Sequence, residues 1–157
     1  MTTKPIITAL GVAGLLPFMA SLLAAFLNAI MSDMDLAVQP KLIFVFYSAV
    51  ILSFLCGAFW GRLLNKDYTL KVALLLVVTN MLALAAWISL LLFNEYQVLS
   101  IGLLGLAYLS VFIFESIEAK LLYKDIYRAY LKLRFWLTFC VVTMHLMMLI
   151  ISVNFGF

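Results

Sequence analysis

The chain has 157 residues, 68% of them hydrophobic and only 11% charged, with a formal net charge of +3. A soluble domain carries roughly 25% charged residues, so this composition, with a mean hydropathy of +1.21, belongs to a chain solvated by lipid. The positive charge is too small and dispersed for a nucleic-acid surface. The two cysteines, Cys56 and Cys140, show neither CxxC spacing nor a His/Cys cluster, so neither a disulfide framework nor a metal site is expected.

Apolar runs of about 20 residues predict five spans, at roughly 6–30, 42–63, 70–93, 98–119 and 134–155, in a single transmembrane domain over 1–157. The first run follows Lys4 and resembles a signal peptide. Its apolar stretch of about 25 residues exceeds the usual h-region of about 7–15, so a retained span is expected. Gly11, Gly14 and Pro17 fall in its first half. Pro17 cannot donate to the Ala13 carbonyl and should kink the helix near mid-membrane. Such breaks line ion sites in transporters, but a structural kink is the simpler reading.

The segment "MSDMDLAVQPK" leads into the second span, which contains "YSAVILSFLCGAFWGR", residues 47–62. Ala49, Ser53, Gly57 and Gly61 recur there every fourth residue, on one side of a helix. Small side chains let a neighbouring backbone approach, so this stripe is expected to pack inside the bundle. A homodimer contact, or a groove for a lipid tail or quinone, stays open as an alternative. Trp60 and Arg62 anchor its end.

"RLLNKDYTLK" precedes the third span, which carries Asn80; "NEYQ" is a tight turn; the fourth span ends near Glu115 and Glu118. An ion pair between Glu115 and Arg62 would tie the second and fourth spans together. In the fifth span, His145 stands about as deep as Asn80, about 15–17 Å from the same side of the membrane. Polar groups at that depth face protein or water. A midplane site joining Asn80 and His145 is therefore expected, holding the bundle together or, alternatively, relaying a proton or binding a ligand.

Between the last two spans, Leu122, Tyr123, Ile126, Tyr127, Tyr130 and Leu133 share one helical face. Lys124, Arg128 and Lys132 line the other. This predicts a short amphipathic interfacial helix over about 120–133, its cations on anionic headgroups.

Lys4, Arg62, Lys66, Lys71, Lys120, Lys124, Arg128, Lys132 and Arg134 fall on the side of the N-terminus, and Lys41 alone on the other. The positive-inside rule then predicts a cytoplasmic N-terminus and an external C-terminus, in a bacterial inner (plasma) membrane or its equivalent. The fold class expected is all-α: five transmembrane helices, with the interfacial helix between the fourth and fifth.

Three stretches carry a resemblance: "LGVAGLLPF" at 10–18, "YSAVILSFLCGAFWG" at 47–61 and "YLKLRFWLT" at 130–138. Together they resemble the domain-of-unknown-function 3429, or transmembrane protein 69-like, family of small multi-pass membrane proteins. Ser48 and Cys56 stand where that pattern reads glycine, Phe59 where it often reads histidine, and Trp136 where it tends to read proline. The resemblance implies a multi-pass membrane protein and no particular reaction.

No Rossmann glycine pattern, P-loop, HExxH or GxSxG is present, so no catalytic residue and no cofactor is expected. The favoured function is a structural or protein-interaction factor. Its partners would be the lipid bilayer with anionic headgroups and a second copy or another membrane protein, with no nucleic acid. The alternative is an oligomeric transporter-like, or lipid- or quinone-binding, bundle built on the midplane polar site.

Overall fold

The computed structural model describes residues 4–31, 39–122 and 127–154, which are helical apart from short turns. Five helical stretches are long and apolar enough to cross a membrane: Ile6–Ile30, Pro40–Leu63, Leu70–Leu92, Gln97–Glu118 and Tyr130–Asn154. Helices are the form in which each span satisfies its own backbone in lipid.

The first span is two helices, α1 (Lys4–Ala13) and α2 (Leu16–Ile30). The break falls at Gly14–Leu15, where Leu15 N–H tightens onto the Val12 carbonyl (3.0 Å) and the regular ladder resumes with Met19 N–H on Leu15 (3.0 Å). Pro17 is the cause. It sits in the first turn of α2, where its missing N–H costs least. The expected kink is thus a short interruption at the second glycine of the Gly11, Gly14, Pro17 set.

α3 (Pro40–Leu63) starts on a proline and carries Arg62 in its last turn, where a cation suits the carbonyl end. α4 (Leu70–Leu92) is capped by Thr69, whose Oγ1 accepts from Val72 N–H at 3.2 Å. α5 (Gln97–Leu122) and α6 (Tyr127–Asn154) complete the set. The α4–α5 hairpin is fastened by Ser100 Oγ donating to the Ser89 carbonyl at 2.7 Å, with both serines buried.

Consecutive spans pack side by side, α2 also packs against α6 to close the ring, and α3 meets α5 across the middle. Phe18, Phe44, Leu52, Leu104 and Met148 fill the centre, while Val50, Leu74, Trp87, Leu106 and Ile150 cover the outside. An apolar exterior of that extent is what a lipid solvent selects.

The last connection differs from expectation. Residues 120–122 continue α5, and 127–133 already belong to α6. No separate interfacial helix occurs among the described residues. Lys124 lies outside them, as does the side chain of Arg128, and Lys132 is exposed on α6. Nothing between Tyr127 and Arg134 interrupts a helix (Trp136 is not proline), so the fifth span begins at Tyr130 and not at 134.

Candidate functional site

Two polar clusters lie inside the bundle. The first is at the end where α3 terminates and α6 begins. Glu115 on α5 is 1% exposed and pairs with two guanidiniums: Arg62 of α3, and Arg134 of α6, whose Nε reaches Oε2 at 2.8 Å. Tyr130 Oη donates to Glu115 Oε1 (3.1 Å) and accepts from Arg62 Nη1 (3.2 Å). The Arg62 guanidinium also lies over the rings of Phe59 (5.4 Å) and Tyr130 (5.8 Å). One turn along α5, buried Glu118 pairs with Lys66. Burial, with Arg62 nearby, pushes the Lys66 ammonium below the ordinary lysine range, and the contact with Glu118 opposes that push.

Both Glu115 oxygens are engaged, so the carboxylate acts as a clamp on three helices. The Arg62–Glu115 pair brings together the two residues selected from the sequence. Arg134 and Tyr130 were not selected, because their part in it requires α6 to start a turn earlier than apolarity alone suggests.

The second cluster centres on His145, which is 1% exposed. Its Nδ1 lies 2.8 Å from the Val141 carbonyl and its Nε2 lies 2.8 Å from Ser48 Oγ. A carbonyl can only accept, so Nδ1 carries a proton, and in the neutral ring Nε2 accepts from the Ser48 hydroxyl. Tyr108 Oη donates to the Ser48 carbonyl at 2.9 Å. Phe18, Phe44 and Tyr108 surround the imidazole with ring centroids at 5.9, 4.8 and 5.4 Å. A Cβ added at Gly105 would come within 3.3 Å of His145 Cβ, so the glycine is what lets α5 approach α6 there.

Asn80 is not part of this cluster. It is exposed on α4, and its Nδ2 donates back to the Leu76 carbonyl at 2.8 Å. The expected Asn80–His145 site is therefore not formed. Depth is one reason: with the fifth span starting at Tyr130, His145 lies about fifteen residues, or about 22 Å, from that end, against about 15 Å for Asn80. Ser48, about fifteen residues before Leu63, is the residue at matching depth.

The small-residue stripe also departs from expectation. Ala49 is buried, but Ser53 and Gly57 are exposed and Gly61 is half-buried. A Cβ at Gly57 or Gly61 would meet nothing within 4 Å. Four-residue steps advance about 40° per step around a helix, so the stripe turns about 120° between Ala49 and Gly61. It leaves the bundle interior part-way.

A crevice of about 370 Å³ lies between the first span, α3 and α6. Its walls are apolar, with Leu10, Leu55 and Leu137 among them, and Arg134 and Tyr130 border it. Tyr47 Oη reaches across beside it to the Gly14 carbonyl at 2.9 Å, satisfying a backbone group at the helix break. Gly11 borders it too, with its would-be Cβ 2.9 Å from Leu137 Cδ1. Among the described residues, no three His, Cys, Asp or Glu side chains come together as a metal site.

The family model described as "Protein of unknown function (DUF3429)" matches residues 3–150. The chain belongs to the DUF3429 family. No curated protein and no solved structure matches it. The three stretches that resembled the DUF3429 pattern converge in space. The first supplies Gly14 and Phe18, the second Tyr47 and Ser48, and the third Tyr130 and Arg134. The hydroxyl that pairs with His145 thus comes from the second of these stretches. Phe59, from the same stretch, is buried under the Arg62 guanidinium.

Proposed function

We propose that this multi-pass membrane protein is a non-catalytic interaction or assembly factor that docks another membrane helix on the outer side of α3 and α4. The observation that carries this is Asn80. Its carboxamide faces away from the bundle about 15 Å into the membrane, and among the described residues only its Nδ2 has a partner. A polar group held in hydrocarbon is costly, and a neighbouring helix is the usual means of satisfying it. On adjacent α3, Ser53 lies at the same depth, and Gly57 and Gly61 leave open space for close backbone approach. The interior polar groups support the non-catalytic reading, since both His145 nitrogens and both Glu115 oxygens are already taken.

The membrane proposed is an inner or plasma membrane with the N-terminus cytoplasmic. Arg62, Lys66, Lys71, Lys132 and Arg134 gather at one end of the bundle and Lys41 stands at the other, which is the asymmetry that orients membrane proteins. A photo-crosslinking residue at Ser53, activated in native membranes, should capture a second copy or another membrane protein. The double variant Gly57→Leu, Gly61→Leu should abolish the adduct without lowering the melting temperature. Adducts to lipid alone would overturn the docking reading. A reporter fused after Phe157 that proved cytoplasmic would overturn the orientation.

A further inference from the structure

The crevice between the first span, α3 and α6 has the dimensions of one leaflet. Along α6 it runs from Tyr130 to Val141, about 16 Å, against a hydrocarbon core of about 30 Å. Its volume of about 370 Å³ lies in the range of small-molecule sites, about 300–1,000 Å³. Its walls are apolar along that length, and its one charged side chain, Arg134, stands near the end where α6 enters the membrane.

Arg134 is the informative residue. Its side chain is only 9% exposed, and Nε is committed to Glu115. Among the described residues the two terminal amino groups have no acceptor. A guanidinium has five N–H donors, and leaving several of them unmet in an apolar surrounding is costly. Glu115 divides one negative charge between Arg62 and Arg134, so the Arg134 guanidinium is only partly neutralised.

We propose that the crevice seats an anionic phospholipid of the surrounding bilayer. One acyl chain would lie along α6, and the phosphate would be held by the terminal amino groups of Arg134. A phosphate presents oxygens at the spacing of the guanidinium fork, so the unmet donors and the surplus charge are satisfied together. A neutral isoprenoid fills the apolar length but leaves the guanidinium unmet. Free phosphate meets the guanidinium but leaves the apolar length empty. On α3 the crevice is lined by Ile51, Phe54 and Leu55 and by no residue of the small-residue stripe, and the proposal does not depend on the docking surface.

The test is lipid retention by the full chain, delipidated in detergent and offered phosphatidylglycerol or phosphatidylcholine, read by native mass spectrometry. Wild type should retain phosphatidylglycerol with about tenfold preference, and Arg134→Gln should lose most of that preference. Leu55→Trp obstructs the crevice without touching the ion cluster and should lose retention of both lipids. Inorganic phosphate at millimolar concentration should not displace the bound lipid; displacement would assign the site to a free anion and overturn the proposal. Should Arg134→Gln fail to fold, judged by its helical circular dichroism, Arg134→Lys keeps the charge without the fork and should show an intermediate preference. Equal retention of the two lipids by wild type, or unchanged preference in Leu55→Trp, would overturn the proposal.

Discussion

Ser48 Oγ and His145 Nε2 lie 2.8 Å apart in the middle of the bundle, although 97 residues separate them in the chain. The bond joins α3 to α6, the second span to the fifth. Because the Val141 carbonyl holds the proton on Nδ1, the Ser48 hydroxyl is the donor.

Ser48→Ala should therefore leave Nε2 without a donor and lower stability by about 1 kcal/mol, near the upper part of the range for hydrogen bonds inside membrane bundles. Asn80→Leu, which removes an outward carboxamide, should leave the isolated protein as stable or slightly more so. Unfolding in mixed detergent micelles, titrated with dodecyl sulfate, measures both. Equal losses from the two would contradict the assignment of His145 to Ser48.

Glu115 holds two guanidiniums in a site where it is 1% exposed. Removing one member of a buried charge cluster strands the others, at a cost of about 3–5 kcal/mol. Glu115→Gln should cost that much in the same unfolding assay. Lys66→Met removes a partner whose own side chain is 16% exposed, and it should cost less. A loss for Glu115→Gln below about 1 kcal/mol, the range of exposed surface pairs, would mean the cluster is solvated and not buried.

The glycines should divide by what their missing Cβ would meet. At Gly105 it would press on His145 Cβ at 3.3 Å, so Gly105→Ala should destabilise by separating α5 from α6. At Gly57 and Gly61 there is open space, and alanine there should stabilise the isolated protein by up to about 1 kcal/mol through helix propensity. Melting temperatures of the three single variants in one detergent decide this. Destabilisation by Gly57→Ala would place that face inside the bundle.

Tyr47 Oη is the partner of the Gly14 carbonyl at the break between α1 and α2. Tyr47→Phe should cost about 1 kcal/mol and speed amide exchange at Leu15 and Leu16, since an interrupted ladder would lose its side-chain tie. Hydrogen exchange confined to other segments would show that the break is held by packing alone.

The lipid environment follows directly from the sequence. With 68% hydrophobic residues and five apolar runs, the chain has no other way to satisfy its backbone than as spanning helices. Span limits were legible to within a few residues for the first four, where charge or proline marks the ends. The fifth was misplaced by about four residues because Tyr130, Leu131 and Leu133 tolerate both the interface and the core. That small shift carried the pairing error with it, setting His145 level with Asn80 instead of Ser48.

Residue type and spacing alone determined that this is an all-helical membrane protein, that Pro17 interrupts its first span, and that Arg62 and Glu115 share one end. Tertiary structure decided what faces what. Uniformly apolar helices in lipid carry no periodic signal to mark their inward side, because the solvent is as apolar as the core. So only the packed bundle could turn Asn80 and Gly57 outward, set Ser48 against His145, and bring Arg134 to both Glu115 and the crevice.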